Sequence, residues 1–254
     1  MQLWTPEHLR TLLPSLAGML VIAVVLRLTI GKKSLKIRMI PFQILACTLF
    51  LIEIGKQVVS FMNGYNLYHI PLHFCSLFIL ALPLMAFYRG KHQKKLFEVG
   101  TVLCIAMSSL MLIYPDLIYG AGSITKYFQN YLSFHAVTFH NIVLFALILV
   151  FALNLDEGKP VSVVKELIVL VVIFCVISAS MAQILQTNFA NFYECNIAPL
   201  EAIRVSIQGA LGYPVAQIIY VLILSAVNIG YVLMGYGIYR LLKKLIPEKS
   251  TVAI

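Results

Sequence analysis

Negative charge is what this sequence lacks most. Ten Asp and Glu stand against nineteen Lys and Arg in 254 residues, and the four charged types together make up 11% of the chain while apolar types reach 61%. A soluble core of this size would need far more polar surface, so the composition describes a polytopic membrane protein. Mean hydropathy is +0.92. Cysteine chemistry is thin as well. The five cysteines form no CxxC pair and no metal-finger spacing, and Cys47, Cys75, Cys104 and Cys175 fall inside apolar runs. That pattern argues against a disulfide framework and against a zinc site; Cys195 alone is placed in a loop. No internal repeat, low-complexity linker or soluble domain interrupts the apolar runs.

What is there is a series of runs long enough to cross a bilayer, for which about 20 residues are needed. They fall at about 11–30, 39–62, 69–88, 96–114, 131–153, 164–184 and 214–239. The sequence therefore predicts an all-α polytopic membrane protein, one seven-transmembrane-helix bundle over residues 1–254. Charge placement supplies the orientation, because Lys and Arg concentrate on cytoplasmic loops. One set of connections carries Lys32, Lys33, Lys36, Arg38, Arg89, Lys91, Lys94, Lys95, Lys159, Lys165, Arg240, Lys243, Lys244 and Lys249. The other carries Arg10, Lys126 and Arg204. This predicts an N-terminus outside and a cytoplasmic C-terminus.

The net charge of +9 then needs no nucleic-acid partner, since the basic residues sit where a positive-inside protein meets anionic headgroups. Glu7, His8 and Arg10 precede the first run and Lys32 and Lys33 follow it, the reverse of signal-peptide order, so the first helix is expected to remain. The inner halves of the spans hold few polar residues, chiefly Asn228. The connections at about 115–130 and 185–213, rich in Asn, Gly, Tyr and Pro, are the loops in which function is expected.

Polar residues in the spans gather in one outer slice. Glu53 lies near the middle of span two and Lys56 about one turn higher. They are three residues apart, about 300° around a helix, so they share a face and can neutralise each other. Glu53 is a candidate base, or the group that orients a histidine. Span three opens on His69-Ile70-Pro71-Leu72-His73-Phe74-Cys75, with Pro71 suited to a first helical turn. His73 and Cys75, about 200° apart on a regular helix, are candidates for catalysis. His135 and His140 in span five lie about 140° apart and do not converge; His135 is closer in depth to His73, and His140 with Asn141 suits an interhelical hydrogen bond. Gln183 comes near the outer end of span six. Intramembrane ionisable groups are costly, which makes this slice the candidate site.

At these positions the chain resembles the bacterial YwaF-type integral membrane proteins. The likeness rests on Pro71-Leu72-His73-Phe74-Cys75, His135, Asn191-Phe192-Tyr193 followed by Pro199, and Gly212-Tyr213-Pro214. That family is related to a vertebrate multi-pass acyltransferase that makes ether-linked phosphatidylethanolamine by moving an acyl chain between phospholipids. Pro71, His73, His135, Asn191 and Cys195 match its pattern, whereas Leu72 stands where its nucleophilic cysteine is expected.

The resemblance implies a phospholipid acyltransferase or lipid-ester hydrolase working near the outer surface without a soluble cofactor, with membrane phospholipids as partners. Cys75, about 4.5 Å deeper than Leu72, could supply a thiol; alternatively His73 and His135 work without one, as general base and ester-oxygen holder. Lys56, His140, Tyr131, Asn191, Tyr193 and Gln183 are the expected substrate-binding residues. The alternative is a small-solute or ion-coupled transporter, or a ligand-binding seven-helix protein, with Glu53, Lys56 and the histidines lining the path.

Overall fold

The computed structural model describes residues 4–119 and 123–245, all helix and connecting loop. Helix α1 (Pro6–Ile30) starts at a capping box between Thr5 and His8, which satisfies two backbone donors reciprocally. The next helices are α2 (Leu35–Met62), α3 (Phe78–Phe87, preceded by a 3-10 turn over Phe74–Leu77), α4 (Gln93–Ile113) and the short α5 (Pro115–Tyr119). They are followed by α6 (Tyr131–Ala152), α7 (Val164–Leu185), α8 (Ala198–Leu211) and α9 (Tyr213–Leu245). Six of these are long and apolar enough to cross a membrane, and Phe74–Phe87 forms a shorter apolar segment. Multi-pass membrane architecture is thereby established. The side chain of Pro199, and Lys249, lie outside the described residues.

Helix α4 is the centre of the bundle. It packs against α3, α6 and α9, while α2 joins α3 to α6, α7 packs on α9, and α1 lies against α6. The outer faces keep residues such as Leu28, Phe61, Ile184 and Leu222 exposed. That is the expected surface in hydrocarbon, where no hydrophobic force drives them inward.

Three boundaries differ from the sequence reading. The third span begins at residue 74 instead of 69, because Pro71 forces its predecessor out of helical geometry. Ile70 is extended (φ −57°, ψ 133°) and so is His73 (φ −86°, ψ 155°), so Pro71 stands before the helix and not in its first turn. Fourteen helical residues reach about 21 Å, short of the ~30 Å hydrocarbon core; irregular backbone completes the rest. Such backbone is tolerated at depth only where protein buries it or it lines a cavity. The 185–213 connection contains α8, too short to span and disguised by loop-like composition. Its Leu200, Ile203, Val205 and Leu211 are each at least half exposed, as an interfacial helix requires. The 115–130 connection likewise contains α5.

Candidate functional site

Four polar residues of α2 lie at i, i+3, i+4 and i+7 along one face: Glu53, Lys56, Gln57 and Ser60. Glu53 is 6% exposed, and both carboxylate oxygens are occupied. Lys56 Nζ lies 2.6 Å from Oε1, Gln57 Nε2 donates to Oε1 at 2.8 Å, and His135 Nε2 lies 2.8 Å from Oε2. Gln57 also donates to the His69 carbonyl at 3.0 Å and accepts from Tyr65 Oη at 2.9 Å. Ser60 Oγ and His69 Nδ1 are 2.6 Å apart. Burying a carboxylate costs heavily unless it is paired and hydrogen-bonded; this stripe does both and ties α2 to the irregular backbone before α3.

His135 reaches Glu53 from the second turn of α6. Asn130 caps that helix by accepting from the Ser133 amide at 2.9 Å, which sets the phase of the first turn. Tyr131 then donates to the Ile52 carbonyl at 2.9 Å, one residue before Glu53. Gly55 makes this approach possible, since a Cβ there would lie 2.1 Å from the Tyr131 hydroxyl oxygen. With Nε2–H donated to Glu53, the Nδ1 lone pair of His135 has no partner among the described residues. A carboxylate-oriented imidazole with one free nitrogen can take and return a proton.

His73 is held differently. Its Nδ1 accepts from the Ala190 amide at 3.4 Å and its Nε2 donates to the Tyr68 carbonyl at 3.0 Å, so both nitrogens bind backbone. The ring lies against Tyr68 and Phe189. The Ala190 amide comes from a loop with two left-handed residues, Ala190 (φ 49°) and Asn191 (φ 65°). Non-glycine residues adopt that region only where surroundings impose it. Here Gln183 of α7 and Gln217 of α9 both donate to the Phe192 carbonyl, at 3.0 and 2.8 Å, and Tyr220 donates to the Asn191 carbonyl at 2.6 Å. Asn191 Oδ1 is buried with no partner among the described residues.

A family model for the TMEM164 family matches residues 3–234. The chain belongs to the TMEM164 family. No curated protein and no solved structure matches it.

The remaining expected residues of this TMEM164-family protein fall around the same slice. Cys75 packs against the apolar core, and no imidazole hydrogen-bonds its thiol among the described residues. Leu72 packs on the apolar core, and its carbonyl accepts from Ser178 Oγ at 3.0 Å. His140 is 7% exposed and donates from Nδ1 to the Ala136 carbonyl of its own helix at 2.6 Å. Asn141 supplies the interhelical bond instead, accepting from Tyr119 Oη at 2.9 Å. Tyr193 packs against the core. Gln183 also accepts from Tyr213 Oη at 2.9 Å, so one end of its amide holds the 188–193 loop and the other the start of α9. His73 and His135 share the polar layer without hydrogen-bonding each other.

A second polar cluster closes the opposite end of the bundle, at the span ends and the connection after α6: Glu98 is fully buried and Asp156 and Arg38 are 4% and 7% exposed. Lys94 pairs with both Glu98 and Asp156, and Arg38 pairs with Glu157 while donating to the Leu153 and Asn154 carbonyls at 2.7 Å each. These groups cap the end of α6. Asn228, singled out for this region, lies on α9. The signal available in sequence is Glu98 one turn after Lys94, a spacing that places both on one helix face.

Proposed function

We propose that this TMEM164-family protein transfers acyl chains between phospholipids, with Glu53 and His135 as its proton-handling pair. The observation that carries the reading is the 2.8 Å bond between Glu53 Oε2 and His135 Nε2, which leaves Nδ1 without a hydrogen-bond partner among the described residues. His135 Nδ1 takes the proton of an acceptor lipid hydroxyl, whose oxygen attacks the ester carbonyl carbon of a donor phospholipid. The donor C–O bond then breaks, and the departing glycerol oxygen receives the proton from His135. Glu53 offsets the imidazolium formed in between, and Lys56 offers N–H donors to a phosphate or to the developing oxyanion.

The resemblance to YwaF-type proteins and to the ether-phospholipid acyltransferase supports the substrate class and a bacterial cell membrane as the setting. The thiol of that enzyme has no counterpart at Leu72, so the acyl group passes directly to the acceptor, and Cys75 shapes the site without forming a thioester. A one-sided site also fits the interior better than a transport path. Phe42, Ala46, Leu49, Val143 and Ala146 are apolar and buried between the Glu53 layer and the ion pairs at the far end. The positive-inside rule supports a position of the Glu53 end away from the cytoplasm.

The test is acyl exchange between a labelled phospholipid and a lysophospholipid by purified protein in nanodiscs. His135→Ala is expected to slow transfer about 100-fold or more, the usual size of a lost general base, and Cys75→Ala to leave it within about threefold. Transfer by His135→Ala at the parent rate would refute the proposal.

A further inference from the structure

A cleft of about 790 Å³ opens at the opposite end of the bundle, among α2, the α3–α4 connection and the α6–α7 connection. Its size is that of a small-molecule site. Met39 and Phe97, 4% and 5% exposed, form the floor, and Ile40 and Phe87, each about half exposed, form a flank that faces sideways out of the bundle. The rim is charged. Asp156 and Glu157 line it, but Lys94 and Lys243 pair with the first and Arg38 with the second.

Lys36 and Arg89 also line the cleft and have no carboxylate partner among the described residues. Arg89 is anchored where α3 ends, donating to the Ala86 carbonyl at 2.7 Å and the Tyr88 carbonyl at 3.0 Å. Those two bonds leave the other three of its five N–H donors available. The uncompensated charge of the cleft is therefore positive, above an apolar flank.

We propose that this cleft binds an anionic phospholipid, its phosphate between Lys36 and Arg89 and its acyl chains along Ile40 and Phe87. Basic pockets between transmembrane helices recognise anionic headgroups in this way. A zwitterionic lipid fits less well, because both carboxylates that could meet its cation are already paired. Met39 and Glu53 are fourteen residues apart on α2, about 21 Å along the helix. The cleft is thus separate from the Glu53–His135 pair, and the inference stands without the acyl-transfer reading.

Native mass spectrometry of the full-length protein tests it, with phosphatidylglycerol and phosphatidylcholine of matched chains added separately. The parent is expected to retain phosphatidylglycerol preferentially. The K36Q/R89Q variant should lose that preference by about tenfold or more, since each cation near an anionic surface contributes substantially. The K32Q/K33Q variant, altered on the same basic connection but outside the cleft, should keep it. The proposal is overturned by a parent without preference, by K36Q/R89Q binding like the parent, by K32Q/K33Q losing the preference equally, or by inorganic phosphate displacing the lipid. Should the double variant not purify, K36E at its exposed position must abolish the preference for the proposal to survive.

Discussion

Glu53 of α2 and His135 of α6, 82 positions apart in sequence, meet in one 2.8 Å hydrogen bond. The same carboxylate holds Lys56 at 2.6 Å. A lone carboxylate, imidazole or ammonium at this depth would be costly, and each of the three lowers the cost of the others.

Glu53→Gln separates charge from hydrogen bonding. The amide oxygen can still accept from His135 Nε2, but nothing then offsets an imidazolium. A fall in kcat of about 100-fold or more is expected in the nanodisc exchange assay, comparable to loss of the base itself. Lys56→Gln keeps the carboxylate and the His135 bond, so its effect should be about tenfold or less. If the two variants turn over equally fast, Glu53 acts only as a partner for Lys56.

Gly55→Ala should disrupt the entry to α6. An added Cβ would lie 2.1 Å from the Tyr131 hydroxyl oxygen, so the ring must leave the Ile52 carbonyl. Alanine gains up to about 1 kcal/mol of helix propensity over glycine, but overpacking of this kind costs about 1–3 kcal/mol. Net destabilisation is expected in denaturant unfolding from micelles. Tyr131→Ala removes the obstacle, so Gly55→Ala made in that background should turn neutral or stabilising. Additive losses would show that the contact is not the cause.

Outside the spanning helices, Glu201 gives a pH-dependent clamp on the 188–195 loop. It accepts from Arg204 Nε and from the Cys195 amide, both at 2.8 Å. The Arg204 hydrogen bonds are the main influence holding its carboxyl below the ordinary range. A depressed folded-state value contributes stability above the ordinary carboxylate range, and that contribution disappears as pH falls through the folded value. Hydrogen-exchange protection of the Cys195 amide should therefore hold from neutral pH down to that range and collapse below it. Glu201→Gln should show weak protection throughout and no such transition.

How far a sequence reveals such a site depends on how local each contact is. The Glu53–Lys56 pair is legible from a three-residue spacing in an apolar run, and Gln57 and Ser60 extend the same stripe. His135 is legible by depth once the seven spans are counted. His73 is the contrary case. Its acceptor role depends on the Ala190 amide, 117 positions away, presented by left-handed Ala190 and Asn191, and neither residue type announces that geometry. The late start of the third helix follows from Pro71, but its consequence, that His73 binds backbone on both nitrogens, requires the neighbouring loop to be in place.

Asp156 provides the severest test of the opposite end. It is 4% exposed, and its carboxylate meets Lys94, accepts from Tyr239 Oη at 2.6 Å and lies 3.6 Å from Lys243 Nζ. Removing one member of a buried ionic set leaves the others desolvated and unpaired, at a cost of about 3–5 kcal/mol. Asp156→Ala should therefore lower unfolding free energy by about that amount, although Lys94 retains Glu98 at 3.0 Å and Lys243 retains the Asp156 carbonyl at 2.6 Å. Asp156→Asn keeps an acceptor for Tyr239 and should cost less. Tyr239→Phe alone should cost about 1 kcal/mol, the net worth of one hydrogen bond, and less once Asp156 is alanine, because the hydroxyl has then lost its 2.6 Å acceptor. A double-mutant cycle reads that difference as a coupling energy. Full additivity would mean that Tyr239 and Asp156 contribute independently and that the ion pairs do not act as one latch on α4, α6 and α9.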